Sequence, residues 1–222
     1  MKYKLQMEIL NQLSSQKGDK TEDSNKIVAE KCIANPRLLA EISVGLEDNS
    51  STALTNRDKK LQSDCIEVFT MVSEKKPEFV VPYVENIVPL LSSKETKTRW
   101  EAVHTLSYIA EKIPDVISYV LPTLQSLIEK DHSTIVRDYA IDTIANYAKV
   151  SVDSSEKSYK LLKSALKLWG EKHAKQVFRG LNYVLDNCSD CKAEINKLVQ
   201  PYLSANKKIV ASEAKKIVKR TC

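Results

Sequence analysis

The chain has 222 residues, of which 42% are hydrophobic, 28% charged and 6% aromatic, and its formal net charge is +5. No apolar run approaches the roughly 20 residues that span a bilayer. The start, Met1-Lys2-Tyr3-Lys4-Leu5, lacks the apolar stretch and small-residue cleavage site of a secretory signal. Neither a membrane protein nor a secreted one is expected, and the expected location is the cytoplasm.

With only 4 Gly and 7 Pro, turn formers are scarce and helix formers dominate. In chain order, Leu5, Ile9 and Leu13 at i, i+4 spacing, with Met7 and Leu10 beside them, predict a short amphipathic helix over 3–14. A loop at 14–19 completes an N-terminal capping region, 1–21. A helix pair over 22–47 follows, with Pro36 in the first turn of its second helix, where a missing N–H costs nothing. The segment 48–52 reads as turn chemistry. The pair over 57–91 buries Leu61, Cys65, Phe69 and Val72 from its first helix, breaks at Lys76-Pro77, and buries Val84, Ile87, Leu90 and Leu91 from its second. The pair over 95–129 repeats the plan, with a break at Ile113-Pro114 and Val120, Leu124, Leu127 and Ile128 inward. Pairs over 133–169 and 172–203 follow, and a capping region over 204–222 holds a last helix at 207–219. No strand alternation is found.

The pairs match one another. A shift of about 37 residues lays Cys65, Ile66, Phe69 and Val72 on Ala102, Val103, Leu106 and Ile109. A further shift of about 38 lays Arg99, Ala102, Val103, Leu106 and Ala110 on Arg137, Ala140, Ile141, Ile144 and Ala148. Pro77 and Pro114, and Leu90 and Leu127, keep the same step in the second helices. Such a period marks supersecondary units that bury one face against their neighbours.

The two-helix unit, its period, the proline after the first helix and the segment Ile135-Val136-Arg137-Asp138-Tyr139-Ala140 resemble HEAT repeats of the armadillo-like superfamily. The resemblance covers nearly the whole chain and is strongest from 57 to 150. It implies an all-α, right-handed α-α superhelix, a solenoid of about five helix pairs forming one domain. It also implies a polar ladder in which Asp131 and Arg137 take part; Arg99 is retained in the third unit, whereas Gln62 replaces Arg in the second. HEAT-like stacks are scaffolds and adaptors that hold a protein or peptide along a concave surface lined by the second helices, and this is the function expected here.

Candidate chemistry is sparse. His104, His132 and His173 fall in different units, and no Gly-rich phosphate loop occurs, so no catalytic residue, cofactor or metal site is assigned. Five cysteines are too few for a disulfide framework, and reduced thiols are expected. Cys188-Ser189-Asp190-Cys191 has no second Cys or His pair to complete a zinc site, and reads as a turn between helices with one thiol inward. Charge, by contrast, is unevenly spread: residues 151–222 hold 15 Lys/Arg against 7 Asp/Glu, a net +8. Lys157, Lys160, Lys163 and Lys167 line one side of the helix at 154–169, and Lys192 and Lys197 extend the stripe. These six are the expected partner-binding residues, for an acidic protein segment or, alternatively, for nucleic-acid phosphates. A third reading is a HEAT-like DNA glycosylase; Trp100 and Trp169 are the only tryptophans, and no Trp-x-Trp-Asp cluster supports it.

Overall fold

The computed structural model describes residues 8–21, 23–47 and 54–221, and among them no strand occurs. The α-helices are α1 (Ser14–Lys17), α2 (Asp23–Ala34), α3 (Leu39–Val44), α4 (Asn56–Lys75), α5 (Pro77–Val80), α6 (Val84–Ile87) and α7 (Thr96–Ile109). They continue as α8 (Pro114–Lys130), α9 (Thr134–Tyr147), α10 (Val152–Trp169), α11 (Ala174–Asn187), α12 (Lys192–Val199) and α13 (Lys208–Thr221). The helices gather into two compact units, one ending at Ile109 and one starting at Ala110.

In the first unit, α2, α4 and α7 pack side by side. Cys65, Ile66, Phe69 and Val72 of α4 and Ala102, Val103, Leu106 and Ile109 of α7 are fully buried, as the repeat predicts; Leu61 is only half-buried. The α4–α7 contact is close enough for hydroxyl pairs: Ser63 with Thr98 and Thr70 with Thr105, both at 2.8 Å. At the other side of α4 lies a network that periodicity could not reveal. Asn25, fully buried, donates from Nδ2 to Asp64 (3.1 Å) and Glu67 (2.9 Å) and accepts from the backbone N–H of Ser14 (2.8 Å). Lys97 supplies a cation to Glu67 at 3.1 Å. Carboxylates this deep are tolerated because they are hydrogen-bonded and paired.

Three expectations change here. The amphipathic helix at 3–14 lies partly outside the described residues; within them, Ile9, Leu10 and Leu13 are buried, but 10–12 is a 3-10 turn. The expected loop at 14–19 contains α1, which ends at Gly18 in the left-handed conformation (φ 71°). The continuous second helix at 78–91 is broken into α5, a 3-10 turn at Val81–Tyr83, α6 and a 3-10 turn at Val88–Ser92, because Pro82 and Pro89 have no N–H for the helical ladder. The expected turn at 48–52 lies outside the described residues.

In the second unit, α9 packs against α8, α10 and α11, and α13 closes over α11 and α12. Side chains reinforce the end of α9: Ser155 Oγ and Asn187 Nδ2 donate to the Ala148 carbonyl, and Ser158 Oγ adds a second donor to the Ile144 carbonyl, which also accepts the Ala148 N–H. Gly180 sets how closely α11 approaches its neighbours. A Cβ built there would lie 2.7 Å from Leu162 Cδ1 and 2.9 Å from the Ala145 methyl. Gly180→Val should therefore destabilise the fold by overpacking, by about 1–3 kcal/mol, read as a fall in thermal midpoint. Asn25→Ala, which leaves two buried carboxylates short of a donor, should cost about 1–3 kcal/mol in denaturant melts.

Candidate partner-binding surface

The six predicted lysines divide into two groups. Lys157 pairs with Asp153 one turn earlier on α10 (2.7 Å), and Lys163 reaches across to Glu194 of α12 (2.8 Å). Tyr159 donates its hydroxyl to the same Glu194 oxygen at 2.8 Å, and Lys163 lies 5.3 Å from the Tyr159 ring centre. Hydrogen bonds from Lys163 and Tyr159 hold the Glu194 carboxyl below its ordinary value, while the carboxylate raises Lys163. Lys160, Lys167, Lys192 and Lys197 are exposed and, among the described residues, have no ion-pair partner. Lys160 and Lys167 lie one turn either side of Lys163, and Lys197 one turn from Glu194, so the Lys163–Glu194 bridge draws these cations into one patch. Glu194 escaped the sequence reading because its partner is 31 residues away on another helix.

The histidines play different parts. His173 is buried, and its two ring nitrogens are taken: Nδ1 contacts Asp138 Oδ1 at 2.6 Å and Nε2 faces Arg137 Nε at 3.1 Å. Arg137 Nε–H can only donate, so Nε2 accepts and the ring proton sits on Nδ1 toward the carboxylate. Arg137 also donates to the Asp131 carbonyl and to Thr134 Oγ1, and its guanidinium stacks 4.3 Å over Trp169, whose indole N–H donates to the Ile128 carbonyl. This cluster is a joint between helices, with Arg137 and His173 buried at its centre and Trp169 and Asp138 half-buried at its edge. His104, on α7, contacts Tyr108 through Nε2 at 3.1 Å, and burial pushes its pKa down to about 4. His132 is exposed on the turn before α9.

Arg99 and Gln62 occupy the positions equivalent to Arg137 and do the same work. Arg99 donates to the carbonyls of Ser93 (2.8 Å) and Lys94 (3.1 Å), and Gln62 Nε2 to that of Leu46 (2.9 Å). In each case a side chain from a first helix holds the turn that leads into it.

No family model matches the chain, and no curated protein matches it. Solved structures do. The designed armadillo repeat protein YIII(Dq)4CqI superposes with a TM-score of 0.71 at 16% identity, covering 98% of this chain and 99% of that one. The designed armadillo repeat protein YIII(Dq.V1)4CPAF, in complex with peptide (KR)4, gives 0.73 at 16% identity, covering 97% and 99%. Computationally designed armadillo repeat proteins for modular peptide recognition give 0.68 at 15% identity, covering 96% and 98%. The fold is an armadillo-like helical repeat. Among the described residues no helix is long and apolar enough to cross a membrane.

Two outcomes follow from the histidines. With His104 charging near 4 when folded, against 6.5 ordinarily, the unfolded chain binds more protons between those values. Stability is therefore lost as pH falls from about 6.5 toward 4, and His104→Gln should flatten that slope in pH-dependent thermal melts. Arg137→Met, which removes three hydrogen-bond donations and the stack on Trp169, should cost about 3–5 kcal/mol, with an altered Trp169 emission spectrum.

Proposed function

We propose that the chain is a non-enzymatic binding scaffold of the cytoplasm that holds an acidic, extended protein segment against α10 and α12. The supporting observation is that Lys160, Lys167 and Lys197, exposed and without an ion-pair partner among the described residues, each lie one turn from a member of the Lys163–Glu194 bridge, with Lys192 exposed at the start of α12. An anionic chain gains from their summed field, and the four ammonium groups are already exposed to receive it. Lys157 and Lys163, also expected at the contact, would join it by exchanging Asp153 and Glu194 for partner carboxylates. The similar designed proteins include ones made for peptide recognition. One is held in complex with the basic peptide (KR)4; the lysine patch of this chain carries the same sign as that peptide and would repel it, so the partner proposed here is acidic.

The test uses the full chain with fluorescent acidic, basic and oligonucleotide ligands. The acidic peptide should bind with an affinity that weakens steadily with salt, and charge reversal of Lys160, Lys167, Lys192 and Lys197 to Glu should weaken it about tenfold or more. Tighter binding of the oligonucleotide, lost in the same variant, would move the reading to nucleic acid. Retention of the acidic peptide by the charge-reversed variant would remove this surface from consideration.

A further inference from the structure

The four described cysteines fall into two chemically distinct pairs. Cys32 and Cys65 are fully buried free thiols in the first unit; burial pushes Cys32 up to about 12 and drives Cys65 higher still. Thiols held protonated in this way are poor nucleophiles. Cys188 and Cys191 are different: they are joined as a disulfide, correcting the expectation of reduced thiols. The reason is local. A 3-10 turn at Ser189–Cys191 follows the end of α11 and leads directly into α12, bringing the two Cα atoms to 5.5 Å, within the range a disulfide spans.

We propose that Cys188 and Cys191 form a reversible dithiol–disulfide site that exchanges electrons with small dithiols and with glutathione-type disulfides. Three observations carry this. The backbone that closes the ring is held by bonds that do not involve sulfur: Cys188 N–H donates to Val184 (2.8 Å) and Cys191 N–H to Cys188 (3.3 Å). The reduced pair can keep the same turn. The ring encloses only two residues, so it restrains the unfolded chain less than a long-range bridge would, and little of the fold depends on it. Access is graded as well: Cys191 is 8% exposed and Cys188 4%, with Ser189 and Asp190 between them open to solvent.

The exchange follows from that gradient. A thiolate of an external dithiol attacks Cys191 Sγ, the S–S bond breaks, and Cys188 leaves as a thiolate that takes a proton from solvent. The second thiol of the reductant then attacks the mixed disulfide, leaves as the oxidised cyclic disulfide, and releases Cys191 as a thiol. Two electrons and two protons pass to the protein and none are left over. Oxidation by a glutathione-type disulfide runs the same steps in reverse, giving two reduced thiol molecules.

The site does not depend on the proposed function, although it adjoins that surface: Lys192 and Glu194 follow Cys191 on α12. The experiment uses the full chain carrying Cys222→Ser, because Cys222 lies outside the described residues. The native protein is equilibrated in buffers of graded oxidised and reduced dithiothreitol and of graded oxidised and reduced glutathione, trapped with a maleimide, and mapped by mass spectrometry. The expected result is a two-electron transition confined to Cys188 and Cys191, with their alkylation after native reduction about tenfold or more faster than that of Cys32 and Cys65. In a Cys188→Ser background, Cys191 should form a mixed disulfide with glutathione while circular dichroism stays native. Two results would overturn the proposal. One is a pair that stays reduced in the most oxidising buffer. The other is a bridge that opens only on denaturation, which would make it a structural staple.

Discussion

Three turns leave backbone carbonyls without a helical partner, and at each of them a side chain from the following helix claims them. Gln62 claims Leu46, Arg99 claims Ser93 and Lys94, and Arg137 claims Asp131. For the buried Leu46 carbonyl, loss of its donor costs of the order of 1–3 kcal/mol; the carbonyls held by Arg99 and Arg137 are part-buried or exposed. The position also has geometric force. A side chain anchored in the first helix fixes where the preceding turn lies, and the turn fixes how the previous second helix enters. Arg99 serves two carbonyls from one guanidinium nitrogen, and Arg137 serves one while its other donors reach His173 and Thr134; Gln62 serves one.

Around this constraint the two units fill their interiors differently. The first carries polar groups deep between helices, in the Asn25–Asp64–Glu67 network and the Ser63–Thr98 and Thr70–Thr105 pairs. Groups of this kind must be matched one to one, which makes the packing of α2, α4 and α7 specific as well as stable. The second relies on close approach at Gly180 and on the stacked joint of Arg137, Trp169 and His173. There the tautomer of one buried imidazole is set by a donor on one side and a carboxylate on the other.

Much of this was legible in the residues. Apolar spacing located the buried faces of α4 and α7 because burial follows the period of a single helix, and Arg99 and Arg137 recur at the same step. What escaped was whatever depends on the rotation and rise of one helix relative to another. Asn25 meets Asp64 and Glu67 across 39 and 42 residues, and Glu194 meets Lys163 across 31. No spacing rule within one helix predicts such pairs. The lysine stripe was visible, but its partial neutralisation was not. Cys188-Ser-Asp-Cys191 falls between helices as expected, but a 3-10 turn brings the pair into a bridge where reduced thiols are expected. The interior prolines act differently in the two segments: Pro122 is accommodated within α8, whereas Pro82 and Pro89 together break the corresponding segment.

Trp100 belongs to α7 in the first unit and Trp169 to α10 in the second, and the sequence has no other tryptophan. Trp169 lies beneath a guanidinium and edge-on to an imidazole (5.7 Å between centroids), whereas the Trp100 indole nitrogen is buried with no hydrogen-bond partner. The chain thus carries a separate optical probe in each half, in electrostatically unlike surroundings. Single-tryptophan versions would report whether the halves melt together or in succession, a question that bears on how far cooperativity reaches along a chain built from repeated parts.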